Sequence, residues 1–539
     1  MYALPLLSLL FQVCCGFTGR GLFYPGRTDL FELSIIHLND FHARFEQTGP
    51  TSGTCREGHE QDCVGGIARV YTAVDQLVKE RPNAIFLNAG DHFQGTLWYN
   101  VHRWNVTALF MNMLPHDVMT IGNHEFDNKI EGLVPFLKNV KAPVVVTNID
   151  DTKEPTIQNL YRNSTIIDRN GTKIGVIGVI LSTTNLIADT GKLKFLDEVE
   201  TVNEEAQRLK EKGVGIIIVL SHCGLDVDRI MAARCPLIDV IVGGHSHTFL
   251  YTGPPPFIDT PVDEYPVVVT QNETNRTVLI VQAAAFTKYL GNLTVWFDDQ
   301  GEVVDWDGNP LLLDQSIEEN SEILEALKPW KKEIDAEASR KIGSTKVLLS
   351  HSCYTKECNM GNLITDAMVD AFVDKAEYKT HWTYAAVACM NPGGIRTSIE
   401  ESEITYGDLM MVQPFENNWD TLELTGESIK KILEMEGILA WSGLKITYKE
   451  TNKKRTVIDV KIRCQACEYP VFEDLVHDQW YRVVVPSFMI SGGDGYYIFK
   501  NNSRNHEIGG RDMDYLIPYV EKKSPILTGI ERRITFVET

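Results

Sequence analysis

The chain has 539 residues, and a prior of about 100–200 residues per domain predicts three or four domains or two large ones. Hydrophobic residues make up 43% and charged residues 23% of the chain, which excludes a largely disordered, collagen-like or many-span membrane protein. The net charge of −22 repels nucleic acid, so we expect no nucleic-acid partner, and an anionic substrate needs a local positive site such as metal ions.

Both ends of the chain favour export. Residues 1–17 form an apolar stretch of secretory length without Lys or Arg, which predicts a cleaved signal peptide, with an ordinary buried strand or helix as the alternative. After Ser524 the chain is charged and short, unlike the hydrophobic tail of a GPI signal. We therefore expect a secreted, extracellular protein without a membrane anchor. Seven N-x-Ser/Thr sequons are candidate glycosylation sites: Asn105, Asn163, Asn170, Asn272, Asn275, Asn292 and Asn501.

From Phe31 to about Leu313 the chain alternates short β-branched runs with polar, helix-like segments. Near-continuous apolar strands between helices predict an α/β arrangement whose sheets are covered on both faces. The predicted strands are 33–39, 84–88, 118–122, 142–149, 173–180, 215–221 and 238–244.

A connector and a second domain follow. Residues 318–340 have few β-formers and a helical spacing of apolar residues, which predicts a helix kinked near Pro329. From about Lys346 the pattern is that of a separate α+β domain, with a predicted helix at 359–374 and strands at 384–389, 457–462 and 481–486.

Cysteine spacing predicts an oxidising compartment. Of 11 Cys, eight fall into close pairs that we predict as disulfides: Cys55/Cys63, Cys223/Cys235, Cys353/Cys358 and Cys464/Cys467. Half a zinc site or a redox motif is the alternative for the last pair. Cys389 is left over, and we expect it to be buried.

Metal-ligand residues follow five of the predicted strands. The carboxyl ends of strands in open α/β sheets meet at one edge, so these residues can converge. Because they outnumber the four or so ligands of one ion, they predict two ions bridged by a carboxylate. Two such ions would clamp the attacking and leaving oxygens of a phosphoryl transfer. Nitrogen and oxygen ligands suit Zn, Mn, Fe, Mg or Ca. The residues are Asp40 and His42, then Asp91, then Asn123, His124 and Asp127, then His222, then His245 and His247.

Several motifs together resemble one family. LNDFHAR (38–44), NAGDHFQGT (88–96), GNHEFD (122–127), LSHCG (220–224) and GGHSHT (243–248) resemble the binuclear metallophosphoesterase domain of the 5'-nucleotidase family. CYTKECNMGNLITDA (353–367), NPGGIR (391–396), PFEN (414–417) and SGGDG (491–495) resemble its C-terminal substrate domain. Among members, the chain looks like the salivary apyrases of blood-feeding arthropods as well as the ecto-5'-nucleotidases.

The resemblance implies a fold and a metal centre. It implies a four-layer α/β/β/α metallophosphoesterase domain at 30–317, a helical linker and hinge at 318–343, and an α+β nucleotide-binding domain at 344–535. It implies two bound divalent ions, either zinc or, as alternatives, calcium, magnesium or manganese. It also implies that His124 and Asp127 form the catalytic dyad. Asp91 bridges the ions; Asp40, His42 and His247 surround one, and Asn123, His222 and His245 surround the other.

The resemblance also implies substrate contacts. Phe415 and Phe488 would stack on the base, Asp494 would accept hydrogen bonds from ribose, Asn391 and Arg396 would contact phosphate, and Asn359 would help to line the site. Many members carry Arg where this chain has Tyr354, so we expect a weaker grip on a monophosphate, which is compatible with di- and triphosphates. Lys356 is a partial replacement.

We therefore predict a secreted metal-dependent apyrase that hydrolyses ATP and ADP, which by the arthropod resemblance would lower ADP and inhibit platelet aggregation. The enzymatic alternative is a secreted 5'-nucleotidase that converts AMP to adenosine. The alternative of another class is a non-catalytic binder on the same fold. Because metal ligands and nucleoside contacts fall in different domains, the substrate would bridge both, and the linker helix is the natural hinge. The sequence leaves the oligomeric state open.

Overall fold

The computed structural model describes residues 29–56, 58–376, 381–451 and 454–537. The signal peptide predicted at 1–17 lies outside these residues.

In the described part of its first half, the chain has fourteen strands and the α-helices α1–α8. The strands are β1 Phe31–Leu38, β2 Ile85–Asn88, β3 Val118–Met119, β4 Ile149–Asp150, β5 Ser164–Arg169, β6 Thr172–Ile180, β7 Lys194–Phe195, β8 Ile216–His222, β9 Val240–Val242, β10 Val267–Thr270, β11 Thr277–Val281, β12 Tyr289–Phe297, β13 Val303–Gly308 and β14 Leu311–Leu312. The helices are α1 Ile67–Glu80, α2 Leu97–His102, α3 Trp104–Met111, α4 Lys129–Asn139, α5 Thr184–Ile187, α6 Glu198–Glu211, α7 Leu225–Arg234 and α8 Ser321–Ala338.

Two six-stranded sheets form the centre of this half, in the orders β13-β12-β1-β2-β3, with β14 on β12, and β10-β11-β9-β8-β6-β5. The alternation of side chains along β1 shows how they are covered. Leu33 and Ile35 belong to the core that includes the second sheet, whereas Ile36 and Leu38 belong to the core with α1, α3 and α4. Helices α6 and α7 cover the second sheet. The predicted four-layer α/β/β/α sandwich is confirmed.

Strand direction brings the predicted site residues to one rim. β1, β2 and β3 are mutually parallel, and so are β6, β8 and β9. The loops that follow β1, β2, β3, β8 and β9 therefore leave the sheets on the same side, which is where the metal-ligand residues occur.

The strand predicted at 142–149 is wrong. Pro143 cannot donate to a ladder, and Val144 and Val145 form only isolated bridges, to Met119 and Arg162. The Pro143 carbonyl accepts from Met119 N, so the segment follows the sheet edge without extending it, and a strand begins only with β4.

Outside residues 377–380, 452–453 and 538–539, the second half has eleven strands and six α-helices. The strands are β15 Lys341–Thr345, β16 Val387–Met390, β17 Ser402–Thr405, β18 Trp419–Thr425, β19 Ala440–Ser442, β20 Leu444–Thr451, β21 Lys454–Arg463, β22 Phe472–Asp474, β23 Trp480–Pro486, β24 Arg504–Glu507 and β25 Ile534–Val537. The helices are α9 Asn359–Asp370, α10 Tyr406–Val412, α11 Gly426–Glu434, α12 Ser487–Ile490, α13 Tyr497–Asn501 and α14 Asp512–Lys523.

A five-stranded sheet, β19-β16-β23-β18-β24, and a four-stranded sheet, β22-β21-β20-β25, give the second half its α+β character, with β15 and β17 as a separate pair. Helices α9 and α14 share a core with the five-stranded sheet. Helix α8 joins the two halves; it contains Pro329 and packs against α1, α2 and α10. Asn320 caps it by accepting from Ile323 N, which fixes its start.

Three of the four predicted disulfides are formed, at Cys55–Cys63, Cys353–Cys358 and Cys464–Cys467. The Cys223–Cys235 pairing is wrong: both are buried free thiols, as is Cys389. Cys223 and Cys235 stand before and after the ten-residue helix α7. A helix of this length spans roughly 15 Å, more than twice the Cα separation that a disulfide tolerates.

Six of the seven sequon asparagines are exposed, whereas Asn292 lies half-buried within β12. Among the described residues, no helix combines the length and the apolar composition needed to cross a membrane.

Candidate metal centre

The ligand loops have an unusual backbone. Asp40, His42, Asp91, His245 and His247 all have positive φ, between 47° and 73°. Residues other than Gly rarely adopt this region, and each such conformation costs about 1–3 kcal/mol unless its surroundings impose it. Five of the seven predicted ligands therefore have this conformation, for which Asp and His are among the better suited residues other than Gly.

The structure brings the predicted ligands into two groups that share Asp91. Asp40, His42, Asp91 and His247 form one group, and Asp91, His222 and His245 form the other, with the ligand atoms of each group within 4.8 Å of one another. Asn123 joins the second group, since its Oδ1 lies 2.9 Å from His245 Nδ1.

Asp91 is central to both groups. Its Oδ2 lies 3.6 Å from His42 Nε2 and 3.1 Å from His222 Nε2. On the far side of the first group, His247 Nε2 lies 3.4 Å from Asp40 Oδ1 and 3.0 Å from His42 Nε2. Two carboxylates thus alternate with imidazoles, which is a donor set for borderline divalent cations.

His222 shows that this site fits a cation. Its Nδ1 donates to the Ala89 carbonyl (2.6 Å), which leaves the buried Nε2, facing Asp91 Oδ2, as the atom that can bind a metal. Burial lowers the pKa of His222, but Asp91 outweighs burial and raises it to about 10. The site therefore attracts positive charge.

Glycine leaves room for the donors at the same point. A Cβ on Gly122 would lie 2.2 Å from Asp91 Oδ1 and 2.4 Å from His222 Nε2. The residues present therefore fit two divalent ions, with Asp91 between them. Such ions, when bound, supply the positive field for phosphoryl transfer that an acidic protein lacks.

His42 is available as a neutral ligand. Burial and the nearby Arg396 guanidinium hold the pKa of His42 well below its ordinary value. Arg396 Nη2 lies 3.2 Å from His42 Nε2, although the two residues belong to different domains. The C-terminal domain thus reaches the metal centre directly.

The predicted dyad is formed beside the centre. His124 Nδ1 donates to Asp127 Oδ2 (2.8 Å), so Nε2 is the ring nitrogen available to a substrate. Burial lowers the pKa of His124, but Asp127 and Asp91 outweigh burial and raise it above its ordinary value. A protonated imidazole can stabilise charge that builds on a transferring phosphoryl group.

Glu125, which the sequence analysis missed, holds two ligand loops together. Its Oε1 accepts from the backbone N–H groups of His92 (2.7 Å) and Phe93 (3.0 Å). Its Oε2 accepts from those of Asp91 (3.0 Å) and Gly122 (2.6 Å). One fully buried carboxylate therefore fixes the loops after β2 and β3. Its place in GNHEFD, between two site residues, was the available signal.

Gln282 does the same for the loop that carries His245 and His247. Its Nε2 donates to the Gly244 carbonyl (3.0 Å), and its Oε1 accepts from Ser246 Oγ (3.1 Å) and from Thr248 N. Nothing in the spacing of the strands points to this residue.

A cleft of about 840 Å³ adjoins the metal centre and lies between the two domains. The predicted residues that line it are Asp91, Asn123, His124, Asp127, His245, His247, Asn391, Arg396, Phe415, Phe488 and Asp494. The metal centre and the predicted nucleoside contacts therefore share one space.

The aromatic and polar residues predicted to contact substrate occupy the C-terminal wall. The Phe415 ring stacks on His124, with centroids 5.4 Å apart and planes 17° apart, and the Arg396 guanidinium lies 5.7 Å from the Phe415 centroid. Asn391 Nδ2 donates to Asp494 Oδ2 (2.8 Å), which orients the carboxylate. Phe488 packs over Gly493, where a Cβ would lie 2.5 Å from the ring.

Two expectations for this wall are wrong. Asn359 does not line the cleft, because its Oδ1 accepts from Ser350 N (2.7 Å) and its Nδ2 donates to the carbonyls of Leu348 and Thr528. It is a structural residue at the start of α9. Lys356 lines a separate small cavity behind the Cys353–Cys358 disulfide and so does not replace the arginine, whereas Tyr354 does line the cleft.

Comparisons with known proteins agree with this geometry. Calcineurin-like phosphoesterase matches residues 33–249, and the 5'-nucleotidase C-terminal domain matches residues 341–501. The chain is 44% identical to an apyrase of Tabanus yao, with 94% of each chain covered, and 42% identical to a 5'-nucleotidase-related protein of Glossina morsitans morsitans, with 94% and 95% covered. A 5'-nucleotidase precursor structure from Thermus thermophilus matches with a TM-score of 0.85 and 33% identity over 94% of this chain and 99% of that one. The chain therefore belongs to the 5'-nucleotidase and apyrase family of metallophosphoesterases and is a nucleotide phosphohydrolase.

Proposed function

We propose that the protein is a secreted apyrase that hydrolyses the terminal phosphate of ATP and ADP. The observation that carries this proposal is a single cleft that holds both the Asp/His centre and the pair Phe415 and Phe488. A nucleotide has an anionic phosphate end and a flat aromatic base. The Asp/His centre suits the phosphate, and the two phenylalanines suit the base.

The residues of the cleft divide the work. Phe415 and Phe488 hold the base by stacking, which contributes roughly 1–3 kcal/mol per base and accepts any purine. Arg396 presents a planar donor fork to phosphate. His124, oriented by Asp127, holds a proton at Nε2 beside the transferring group.

The position of Tyr354 favours di- and triphosphates over AMP. Tyr354 lines the cleft with 56% of its surface exposed, at the position where the family resemblance implies an arginine that would bind a monophosphate. Without that cation, binding of a single phosphate relies more on the metal centre and Arg396. The resemblance to an apyrase of Tabanus yao supports the same substrate class.

A phosphate-release assay with ATP, ADP and AMP tests the proposal. We expect phosphate from ATP and ADP; hydrolysis of AMP with inert ADP would instead establish the alternative, a 5'-nucleotidase. Asp91→Asn should abolish turnover, since Asp91 is shared by both groups of ligands. A non-catalytic binder would show no turnover in the wild type and would keep nucleotide binding in this variant.

Tyr354→Arg tests the basis of the preference. We expect kcat/KM for AMP to rise relative to that for ADP, because the variant restores a cation in the cleft. Lys356→Arg is the matched control, since Lys356 is exposed and lies outside the cleft. An unchanged AMP-to-ADP ratio in Tyr354→Arg would contradict the assignment.

We propose zinc as the native metal, with calcium, magnesium and manganese as alternatives. Four histidines among the ligand groups support a borderline cation over a hard one that prefers oxygen alone. Metal analysis of the purified protein, followed by chelation and readdition of each ion, tests this. Full recovery with calcium or magnesium but not with zinc would overturn it.

The proposed place of action is extracellular. Three disulfides and six exposed sequon asparagines support it. Removal of ADP would then inhibit platelet aggregation, and an aggregation assay with Asp91→Asn as the inactive control tests that role. Inhibition by the inactive variant would show that hydrolysis is not the cause.

We also propose that α8, within the linker at 318–343, is a hinge between the domains. Thr51 Oγ1 donates to Glu400 Oε1 (3.3 Å) across the interface at the surface. A short thiol crosslinker joining Thr51→Cys to Glu400→Cys should slow turnover, with each single variant as the control. Unchanged turnover after complete crosslinking would contradict the hinge.

A further inference from the structure

Two arginines border the cleft, one from each domain. Among the described residues that line it, Arg103 and Arg396 are the side chains with a permanent positive charge. Arg396 stands at the metal centre beside His42. Arg103 lies on the opposite domain, in the break between α2 and α3. In a chain with a net charge of −22, a cation that faces a substrate cleft is a strong local feature.

The backbone and neighbours of Arg103 place it beside the dyad. Arg103 has φ 55°, a conformation that most residues avoid, and its guanidinium lies 5.8 Å from the Tyr99 ring centroid. Its Nη1 donates to Asn128 Oδ1 at 3.4 Å. Asn128 follows Asp127 directly, so Arg103 flanks the residue that orients His124.

The remaining partner of Arg103 comes from the other domain. Its Nη2 lies 3.3 Å from Glu416 Oε2, and the two side chains are 37% and 38% exposed. Glu416 follows Phe415, whose ring stacks on His124. An ion pair this exposed is weak, so the guanidinium can exchange its partner at little cost.

We propose that Arg103 binds the phosphate of ADP or ATP that does not occupy the metal centre. The inference rests on the proposed action on di- and triphosphates. With the terminal phosphate at the Asp/His groups and the base at Phe415, the remaining phosphates would lie between them, in the cleft that Arg103 also lines. A phosphate accepts two parallel N–H donors from a guanidinium, so it would displace Glu416 from its single contact with Arg103.

The same placement makes Arg103 a specificity-determining residue. AMP has one phosphate, which goes to the metal centre and leaves none for Arg103. ADP and ATP each have at least one more. Arg103 therefore supplies, from the N-terminal domain, a cation for longer phosphate chains in a cleft that carries tyrosine at position 354.

Three variants separate phosphate binding from a simple domain contact. Arg103→Gln removes the cation, and Glu416→Gln removes its protein partner but keeps the cation. Arg511→Gln is the matched control, because Arg511 also faces Glu416, at 3.9 Å, but is 68% exposed and lies outside the cleft. The measurement is kcat/KM for ATP, ADP and AMP, with Ki for any nucleotide that is not hydrolysed.

We expect Arg103→Gln to lower the ADP-to-AMP ratio of kcat/KM by about ten-fold, the loss of one charge-assisted contact. Glu416→Gln should keep or raise that ratio, and Arg511→Gln should leave it unchanged. Equal losses for all three nucleotides in both Arg103→Gln and Glu416→Gln would show a domain contact only and overturn the proposal.

The experiment also separates this inference from the proposed function. If the wild type hydrolyses AMP but not ADP, the apyrase proposal fails. ADP then serves as an inhibitor of AMP hydrolysis, and a Ki for ADP that is about ten-fold weaker in Arg103→Gln supports the contact. An unchanged Ki for ADP would refute it.

Discussion

Replacing Glu125 by glutamine tests whether the metal centre depends on a residue that binds neither metal nor substrate. Each carboxylate oxygen of Glu125 accepts two backbone N–H groups, from His92 and Phe93 at one oxygen and from Asp91 and Gly122 at the other. Glutamine has the same shape, but its NH2 group cannot accept. Whichever way the amide is turned, two buried N–H donors lose their acceptor.

The structure gives the size of the effect. An unsatisfied buried donor costs about 1–3 kcal/mol, so two cost about 2–6 kcal/mol. If the amide oxygen stays with His92 and Phe93, the donors left unpaired belong to Asp91 and Gly122, within the ligand loops themselves. Loss of a residue that orients metal ligands typically lowers metal affinity or activity by 10–100-fold. We expect Glu125→Gln to fall in this range for both.

The assay compares metal content after dialysis against a graded series of chelator concentrations with kcat in excess metal. Glu131→Gln is the control, because Glu131 is an exposed carboxylate on the next helix. A Glu125→Gln protein that retained its metal as tightly as the control, and turned over at more than half the wild-type rate, would refute the positioning role. A variant that lost rate in proportion to metal, and regained part of it in excess metal, would support it.

Three further outcomes are expected. Gly122→Ala should abolish metal binding in a folded protein, because its Cβ would overlap the Asp91 carboxylate, and metal analysis beside circular dichroism checks this. Alkylation of the denatured, unreduced chain should label Cys223 and Cys235 as free thiols. If mass spectrometry instead recovered them as a linked peptide, the predicted disulfide would be present after all. Burial raises the pKa of Asp512 to about 7, so the folded state loses stability as pH rises from about 4 to 7. Asp512→Asn should therefore raise Tm by roughly 2–8 °C at pH 8 and by little at pH 4.5, and an equal shift at both pH values would contradict this.

The clustering of the predicted ligands could be foreseen because it follows from strand direction. Each ligand follows an apolar run, and parallel strands deliver their carboxyl ends to one rim, so Asp40 and His247 meet although about two hundred residues separate them. The same rule says nothing of Glu125 or Gln282. Their role lies in which backbone N–H and C=O groups they meet, which depends on the path of each loop in three dimensions and not on residue type.

The errors have physical causes of the same kind. The Cys223–Cys235 spacing looks local, but an intervening helix converts twelve residues into a distance that no disulfide spans. Asn359 lies within a motif that the family resemblance connects with the site, yet its amide is used by the backbone around the start of α9. In the first case, closeness in sequence is not closeness in space. In the second case, membership in a motif is not a place in the cleft.

The division of the candidate site between two domains bears on how the proposed apyrase would accept both ATP and ADP. The predicted metal ligands belong to the N-terminal domain, whereas Phe415 and Phe488 belong to the other domain. In one fixed arrangement, the space between rings and centre suits one number of phosphates. Hydrolysis of both ATP and ADP therefore requires either a change in domain spacing or a second phosphate position. One contact that a change of spacing must break, Arg103 to Glu416, is exposed and weak, and it would release the cation that we propose holds the additional phosphate.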